Sequence, residues 1–343
     1  MKSIRVQDAA GMVLCHDITE IVPGKFKGPS FRKGHVIQIN DIEKLLDLGK
    51  RFIYVFELSK DQVHENEAAK RIAKAATGPG VFLTEPVEGK VTLSAAARGL
   101  LKIDVPALSL INRIEDIMLA TLHGNQPVAE NQPLGGTRII PLATEEARIQ
   151  HVETICRDHF PILQVKPFVP HQVGLIVTGS EVFEGRIEDG FGPVVEKKFN
   201  DLGSRVVGYE KVSDDVDMTI KAIHDFIRKG VDMIALTGGM SVDPDDQTPA
   251  SIRAAGGKVV SYGAPVLPGA MFMLAYIQNI PLIGLPGCVM YHQTSIVDLV
   301  GPRLLAGESV TRDELVAMGH GGFCSHCHTC RVPAVSETHL LAH

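Results

Sequence analysis

The sequence predicts an α/β protein whose largest part, residues 169–306, is a three-layer α/β/α domain with a mostly parallel sheet. Short apolar runs at residues 173–178, 231–237 and 280–285 are typical of strands that are buried on both faces. Segments with helical periodicity separate these runs, and glycine follows each run closely, as in the loop between a strand and the next helix. We therefore expect helices on both faces of the sheet.

The remaining elements of this domain follow from the same patterns. Two further strands are predicted, at residues 205–212 and 259–262. Helices are predicted at residues 193–202, 218–228, 248–255 and 289–305.

Two smaller regions precede this domain and a tail follows it. Residues 1–58 are predicted to be β-rich, with strands at 11–14, 35–39 and 52–56, a loop marked by Pro23, Gly24, Gly28 and Pro29, and a helix at 42–48 that ends at Gly49. Residues 59–168 are predicted to form a mixed α/β unit that begins with a helix at 62–76. Residues 307–343 form the tail.

Composition and charge restrict the function. A chain of 343 residues is longer than one core usually holds, so several domains are expected. The net charge is -6, and no Lys/Arg cluster offsets it locally, which argues against a nucleic-acid partner. An anionic ligand would need backbone amides, together with a metal ion or a few local cations.

The sequence also predicts a cytoplasmic protein. The N-terminus has no apolar leader segment, and the most apolar later stretch is interrupted by Gln278, Asn279, Pro281 and Pro286. Three of the six cysteines are scattered and three are bunched near residue 327, a pattern that favours metal or redox chemistry over structural disulfides. We expect no membrane contact.

Glycine-containing loops follow three of the predicted strands. Ligands of such sheets bind beyond the carboxyl ends of the strands, where glycine lets backbone N–H groups approach a phosphate. The three loops are Gly179-Ser180-Glu181, Thr237-Gly238-Gly239-Met240-Ser241 and Pro286-Gly287-Cys288. Three such loops at one edge favour an anion site more than a single loop would, and ordinary strand-to-helix turns remain the alternative.

Acidic residues accompany two of these strand ends. Asp214 and Asp215 follow one strand, and Asp243, Asp245 and Asp246 follow the Gly238-Gly239 loop. Carboxylates beside a phosphate site are consistent with Mg²⁺ between them. The alternative is helix capping, by Asp214 or Asp215 on one helix and by Asp246 on the next. Capping accounts for one aspartate per helix and leaves the others unexplained.

Common catalytic motifs are absent from the sequence. It has no Gly-x-Gly-x-x-Gly after a strand, no P-loop and no His-Glu-x-x-His. Ser241 stands one residue short of a nucleophile elbow, and no histidine partner is evident.

The third region resembles the molybdopterin-binding fold. That family includes molybdopterin adenylyltransferases, molybdenum-inserting transferases and the competence-damage proteins. The resemblance rests on four motifs in the family's order: Thr178-Gly179-Ser180-Glu181, Ser213-Asp214-Asp215, Thr237-Gly238-Gly239-Met240-Ser241 with Asp246-x-Thr248-Pro249, and Gly284-Leu285-Pro286-Gly287. The segment from Gly11 to Ile18 also resembles the opening of the molybdenum-inserting branch.

The resemblance implies a role for each motif. It implies that Thr178, Gly179 and Ser180 bind the pterin side or its phosphate, and that Gly238, Gly239 and Ser241 cradle the phosphate. Asp214 and Asp246 match positions that the family uses for catalysis and Mg²⁺ binding, and Pro286 and Gly287 match a loop that lines the pocket. The family also implies a homo-oligomer, ATP as a candidate co-substrate and molybdoenzyme apoproteins as candidate partners.

The tail carries a second candidate site. Cys324, Cys327 and Cys330 stand at two overlapping C-x-x-C spacings with histidines nearby, which suits zinc or three corners of an iron–sulfur cluster. The alternative is a frayed end with reactive thiols.

Three functions remain open from sequence. The first is an enzyme of molybdenum cofactor biosynthesis that catalyses Mg-dependent adenylyl transfer or metal insertion. The second is a non-catalytic molybdopterin carrier or sensor, which Cys288 after Pro286-Gly287 and the tail favour. The third is a nucleotide pyrophosphatase of the competence-damage type.

Overall fold

The computed structural model describes residues 2–22, 26–56 and 59–324. The chain divides into two compact units. Unit 1 comprises Met1–Ala97, Lys102–Gly124 and Glu130–Val165, and unit 2 comprises Arg98–Leu101, Asn125–Ala129 and Lys166–His343. In the part of the chain that the structure describes, no helix combines the length and apolar character needed to cross a membrane.

The first half of the chain is rich in short strands. The strands up to residue 167 are β1 (Lys2–Arg5), β2 (Val13–Leu14), β3 (Ile18–Val22), β4 (Phe26–Phe31), β5 (Phe52–Phe56), β6 (Gln62–His64), β7 (Val81–Leu83), β8 (Val91–Ala95), β9 (Gly99–Ile103), β10 (Ile117–Thr121), β11 (Gln126–Val128), β12 (Pro133–Ile139), β13 (Ala143–Glu145) and β14 (Leu163–Pro167). The helices are α1 (Asp41–Asp47), α2 (Glu65–Ala76), α3 (Val105–Asn112) and α4 (Glu146–Asp158). Within unit 1 the strand orders are β1-β5-β2, β10-β12-β8-β7, β13-β6 and β3-β4.

Three predictions in this half were wrong. Residues 35–39 do not form a strand, because only an isolated bridge joins Val36 to Val13. Gly28 and Pro29 lie inside β4 rather than in a loop, and Pro29 is compatible with a strand because β4 pairs only with β3. The helix predicted from residue 62 begins at Glu65, since residues 62–64 pair with β13.

Unit 2 contains one six-stranded sheet. Its strands are β15 (Gln172–Thr178), β16 (Arg205–Val212), β17 (Met233–Thr237), β18 (Lys258–Tyr262), β19 (Met273–Ile277) and β20 (Ile280–Leu285). The helices are α5 (Ser180–Phe183), α6 (Phe191–Asp201), α7 (Val216–Lys229), α8 (Thr248–Ala254), α9 (Ile296–Leu305) and α10 (Arg312–Ala317). The order is β16-β15-β17-β20-β19-β18, in which the first four strands are parallel and β19 is antiparallel to both of its neighbours.

Two hydrophobic cores cover the two faces of this sheet. Val173, Leu175 and Val177 of β15 pack into one core with α6 and α9, whereas Ile176 packs into the other with α7 and α8. Both faces are therefore buried, which explains why the central strands are continuously apolar in sequence. The predicted three-layer α/β/α domain with a mostly parallel sheet is confirmed.

Two elements of unit 2 differ from the prediction. Strand β19 was not predicted, and it pairs with β20 through a tight turn at Gln278 and Asn279. The helix predicted over residues 289–305 is two elements: a 3₁₀ helix at Gly287–Met290, and α9. Helix α9 begins at Ile296, after the N-cap Ser295, whose hydroxyl accepts the N–H of Val297 and whose own N–H donates to Asp298. This capping box starts a new helix where the sequence pattern suggested continuity.

Candidate functional site

The three glycine-containing loops meet at one edge of the sheet in unit 2. In the parallel register, Val177 of β15 is paired with Thr237 of β17, and Thr237 is paired with Leu285 of β20. Since these strands end at neighbouring positions, the residues after them lie side by side. The arrangement predicted from sequence is thus present in the structure.

A cavity of about 680 Å³ opens beside the first two loops. Among the described residues that line it, no lysine or arginine occurs. Seven lining residues carry carboxylates: Glu181, Glu188, Asp189, Asp214, Asp243, Asp245 and Asp246. We call this space the acidic cavity. An anion can enter it only with a cation or with its charge met by backbone dipoles.

A second cavity of about 510 Å³ adjoins it. The two cavities share Phe191, Gly238, Gly239 and Asp246 as lining residues. The second is lined mainly by apolar groups from the following residues: Met240, Leu267, Pro268, Ala270, Met271, Leu285 and Pro286. We call it the apolar cavity. The pair offers one polar and one apolar compartment to a single ligand.

The Gly238-Gly239 turn requires glycine at both positions. Both residues have positive φ, +84° and +54°. A Cβ on Gly238 would lie 2.1 Å from the carbonyl oxygen of Thr178, and one on Gly239 would lie 2.9 Å from Thr248 Oγ1. Side chains are therefore excluded, and the turn backbone is left open to a ligand.

Two buried threonines hold this turn from below. Thr248 Oγ1 donates to Gly238 O at 2.9 Å, and the backbone N–H of Thr248 donates to Gly239 O at 3.1 Å. Thr178 Oγ1 donates to Thr237 O at 3.2 Å. The hydroxyl of Thr237 is fully buried and has no hydrogen-bond partner within the described residues. A buried hydroxyl without a hydrogen-bond partner lowers the stability of the folded state, so the turn at Thr237 is not optimised for stability.

Asp214 is anchored by the first loop. Its Oδ2 accepts the N–H and the hydroxyl of Ser180 at 2.8 and 2.9 Å. Asp215 is instead the N-cap of α7, because its Oδ1 accepts the N–H of Met218 at 2.7 Å. Capping therefore explains Asp215 and leaves Asp214 in the cavity wall.

Asp246 does not cap the helix that follows it. The N-cap of α8 is Gln247, whose side chain accepts no helix N–H, so the capping alternative for Asp246 was wrong. Asp246 Oδ2 accepts the N–H of Asp243 at 3.1 Å, and the N–H of Asp246 donates to Asp243 O at 3.0 Å. Burial, followed by the negative charge of Asp246, raises the pKa of the nearby Tyr262 phenol. Tyr262 donates to the carbonyl oxygens of Met240 and Ser241 and so supports the far side of the turn.

Each of the two proposed metal ligands keeps one carboxylate oxygen available. Asp214 Oδ1 and Asp246 Oδ1 make no hydrogen bond to any residue in the ranges described, whereas the Oδ2 atoms are engaged. No group of three His, Cys, Asp or Glu side chains in those ranges converges on a common point. The donor set fits Mg²⁺, which commonly takes one or two protein carboxylates together with waters and substrate phosphate.

Asp189 was missed by the sequence analysis. Its Oδ1 accepts the N–H of Phe191 and its Oδ2 accepts the N–H of Gly192, both at 2.8 Å, and the Tyr209 hydroxyl also donates to Oδ2. These bonds fix the start of α6, and hence Phe191, where the two cavities meet. The sequence feature that could have identified Asp189 is the Asp-Gly pair at 189–190, since aspartate before a helix is a common capping residue.

The loop after β20 lines the apolar cavity. Pro286 is buried, Gly287 is exposed and Cys288 is partly buried. Burial raises the pKa of the Cys288 thiol, so the thiol is mainly protonated at neutral pH. Of the tail cysteines, Cys324 is partly buried, while Cys327 and Cys330 lie outside the described residues.

Comparison with known proteins identifies this domain. Residues 174–306 match the family model of a probable molybdopterin binding domain. The match covers less than half of the chain, so it relates this domain, and not the whole chain, to that family. Residues 3–57 match a different family, a domain of unknown function.

Curated relatives align with this chain only in part. A molybdopterin molybdenumtransferase of Staphylococcus aureus (strain COL) is 29% identical over 131 residues, which are 36% of this chain and 31% of the relative. A CinA-like protein of Mycobacterium avium (strain 104) is 31% identical over 83 residues, which are 23% of this chain and 18% of the relative. The aligned part thus spans about a third or less of either relative.

Solved structures of similar proteins carry related names. A molybdopterin biosynthesis MoeA protein from Pyrococcus horikosii has 15% identity and a TM-score of 0.34, and the match covers 71% of this chain and 79% of that one. A tungsten cofactor synthesizing protein, MoaB, from Pyrococcus furiosus has 22% identity and a TM-score of 0.32, covering 40% and 92%. Both TM-scores are low, so the assignment of residues 174–306 stands on the family model.

Proposed function

We propose that this protein binds molybdopterin at the glycine-lined edge of the unit 2 sheet and takes part in molybdenum cofactor biosynthesis. The reaction is Mg-dependent adenylyl transfer or metal insertion. The observation that carries the proposal is the Gly238-Gly239 turn, held open by Thr178 and Thr248 at the junction of an acidic and an apolar cavity. A pterin with a phosphate-bearing side chain has matching apolar and anionic parts.

The phosphate end belongs at the two glycine loops. Gly238 and Gly239 present backbone without side chains, and Gly179 precedes the short helix α5. Backbone N–H groups at such turns form anion-binding concavities. Ser180, fixed by Asp214, and Ser241, at the rim of the apolar cavity, supply further hydroxyl groups, and Glu181 and Thr237 complete the two loops.

Mg²⁺ would offset the repulsion between an anionic ligand and the carboxylates of the acidic cavity. The ion would be held by the free oxygens of Asp214 and Asp246, and when bound it supplies charge neutralisation at the phosphate. The chain itself contributes position: Asp243 orients Asp246, and Ser180 orients Asp214. Catalysis of in-line transfer depends mainly on such positioning and on charge neutralisation.

The apolar compartment accepts the ring system. Pro286 and Gly287 line it directly after β20, and Phe191 lines both compartments. A flat heterocycle there would lie against apolar surface rather than water.

The decisive experiment is a calorimetric titration of molybdopterin into wild-type protein and Asp246→Asn, with and without Mg²⁺. Products are then analysed after incubation with Mg-ATP or molybdate. We expect Mg-dependent binding by the wild type, followed by an adenylylated or metal-loaded product, and binding without product by Asp246→Asn. Asp215→Asn is the matched control, because Asp215 caps α7 and does not line the cavity. Full turnover by Asp246→Asn would remove Asp246 from catalysis.

A carrier or sensor without turnover is the second candidate. Cys288, with a pKa raised by burial, lines the apolar cavity directly after Pro286-Gly287. Tight binding with no product from either co-substrate would favour this function. Hydrolysis of dinucleotides without any pterin would instead favour a nucleotide pyrophosphatase.

The tail metal site remains a separate proposal. Zinc or an iron–sulfur cluster would be held by Cys324, Cys327 and Cys330, of which the structure describes only Cys324. Elemental analysis of purified protein tests it, with Cys156→Ser as a control because that thiol is buried in unit 1. A homo-oligomer and contact with molybdoenzyme apoproteins are likewise proposed, and light scattering of the purified protein tests self-association.

A further inference from the structure

A cleft of about 500 Å³ opens between α2 and α4, inside unit 1. The two helices lie side by side, because the strands before them, β6 and β13, pair with each other and a bridge between Thr77 and Leu163 joins the segments after them. Lys74 and Arg157, in the last turns of the two helices, both line the cleft. Its volume falls within the range typical of small-molecule sites, roughly 300–1,000 Å³.

The cleft is cationic, although the chain as a whole has a net charge of -6. Its charged lining consists of three cations and one carboxylate: Arg71, Lys74, Arg157 and Glu153. Arg71 is already neutralised, since its guanidinium donates to the carboxylates of Glu146 and Glu153. Within the described residues, the side chains of Lys74 and Arg157 have no hydrogen-bond or ion-pair partner. Two positive charges are therefore available to a ligand.

The same cleft exposes an aromatic ring. Phe160 is 58% exposed and makes no aromatic or cation–π contact in the part of the chain that the structure describes. The chain just after it is tied to the end of α2, since the N–H of Ile162 donates to Ala76 O at 3.2 Å. Ala75 and Cys156 add apolar surface to the lining. The cleft thus presents one ring and two available cations to a single ligand.

Helix stability explains only part of this arrangement. A cation in the last turn of a helix interacts favourably with the helix dipole, which accounts for Lys74 on α2 and Arg157 on α4. The dipole does not account for a concave surface with an exposed ring beside both cations. Concave apolar surface with a few charged groups at its edge is typical of ligand sites.

We propose that this cleft binds a nucleoside monophosphate. Arg157 and Lys74 hold the phosphate, arginine through two parallel hydrogen bonds and lysine as a point charge. The base stacks on the ring of Phe160. Two available cations match the charge of one phosphate monoester, which is between one and two negative charges at neutral pH, better than that of a triphosphate. The site belongs to unit 1 and does not depend on the function proposed for unit 2.

The test is calorimetric titration of adenosine monophosphate and of ribose 5-phosphate, which carries the phosphate but no base, into the full-length protein in EDTA. Phe160→Ala removes the stacking surface, and Lys74→Gln with Arg157→Gln removes the two charges. The matched control is Lys70→Gln with Lys221→Gln, which removes two charges from exposed helix positions outside the cleft. All substituted side chains are exposed, and thermal unfolding checks that each variant is folded.

We expect the wild type to bind adenosine monophosphate about tenfold more tightly than ribose 5-phosphate, because one base stacks on an aromatic ring. Phe160→Ala should abolish this difference and leave the affinity for ribose 5-phosphate unchanged. The double charge variant should bind both probes about tenfold more weakly, since it loses the charge-assisted hydrogen bonds, and the control should behave like the wild type.

Three results would overturn the proposal. The first is no binding of adenosine monophosphate by the wild type up to about 10 mM. The second is an equal effect of Phe160→Ala on both probes, which would mean that the ring does not contact the base. The third is equal affinity in the charge variant and its control, which would place binding outside the cleft. Failure of molybdopterin to bind in unit 2 would leave these titrations unaffected, because EDTA removes Mg²⁺.

Discussion

The hydroxyl oxygens of Thr178 and Thr248 lie 3.2 Å apart beneath the Gly238-Gly239 turn. The two residues come from different parts of the chain, one at the end of β15 and the other at the start of α8. Through them the turn is tied to both elements. The geometry of the proposed phosphate site thus depends on two side chains that are themselves buried and do not need to touch a ligand.

Thr248→Val tests this support. The substitution removes the hydrogen bond from Oγ1 to Gly238 O and should lower the free energy of unfolding by about 1 kcal/mol, as is usual for one hydrogen bond. Ligand affinity should also fall, because the turn loses its fixed position. Thr219→Val is the matched control: Thr219 is equally buried and its hydroxyl donates to Asp215 O at 3.0 Å on α7. Urea unfolding should show similar losses in both variants, and calorimetry should show weaker binding only in Thr248→Val. Equal affinities would refute the role of Thr248 in the site.

A comparison of Gly238→Ala with Gly230→Ala separates the cost of backbone strain from the cost of a steric clash. Gly230 has a similar φ of +74° but no heavy atom within 4 Å of the position of a Cβ. Gly230→Ala should therefore cost only the left-handed penalty, about 1 kcal/mol. Gly238→Ala adds a contact of 2.1 Å to Thr178 O, so its loss of stability should be at least twice as large and binding should be abolished. Thermal unfolding of the two variants in parallel provides the comparison, and equal costs would mean that the turn adjusts to a side chain.

Asp214→Asn should change the metal dependence of binding without disturbing the loop. The asparagine carbonyl can still accept the N–H and hydroxyl of Ser180, but the negative charge is lost. We expect the Mg²⁺ concentration for half-maximal ligand binding to rise about tenfold, equivalent to about 1.4 kcal/mol. Asp215→Asn should leave it unchanged, because asparagine caps helices as well as aspartate does. An unaltered Mg²⁺ dependence in Asp214→Asn would place the metal elsewhere.

Glu65 gives unit 1 a pH-dependent stability. The residue is 5% exposed, and burial raises the pKa of its carboxyl group above the ordinary 4.5, while the charges of Arg138 and Lys33 oppose the shift. The folded state therefore binds the proton more tightly than the unfolded state. The contribution to stability is complete below pH 4.5 and is lost as the pH rises through the raised value.

Glu65→Gln should remove this slope. Glutamine resembles the protonated carboxyl group and does not titrate, so the free energy of unfolding of the variant should fall less than that of the wild type as the pH rises from 4.5. Glu67→Gln is the control, because Glu67 is exposed on the same first turn of α2. Urea titrations across the pH range measure the difference. Parallel curves for wild type and Glu65→Gln would show that the buried carboxyl group does not titrate in this way.

The sheet of unit 2 could be predicted because its central strands are buried on both faces. Burial forces the residues of β15 after Gln172, and those of β17 and β20, to be apolar or small, and that signal survives in the sequence. Strand β19 gave no separate signal, since the turn at Gln278 and Asn279 lacks the glycine that usually marks a two-residue hairpin. The break before α9 was signalled by Ser295 and Asp298, whose spacing is that of a capping box.

The site was predictable in its backbone and less so in its side chains. Glycines at strand ends reveal where a chain must approach a ligand, so Gly238 and Gly239 could be named. The different roles of Asp214 and Asp215 could not be predicted, because both residues follow the same strand. Only the three-dimensional structure shows that Asp215 caps α7 and that Asp214 binds Ser180. Asp189 acts on backbone N–H groups two and three residues ahead of it, a contact that sequence spacing suggests but does not single out.

The charge of the acidic cavity has a consequence for the form in which a ligand arrives. Seven carboxylates repel a bare phosphate ester but attract the same ester once a divalent cation is bound to it. Under the proposed function, the concentration that matters to this protein is then the metal-complexed fraction of its ligand. A chelator that lowers free Mg²⁺ would act like ligand starvation, even while the total amount of ligand in solution stays constant.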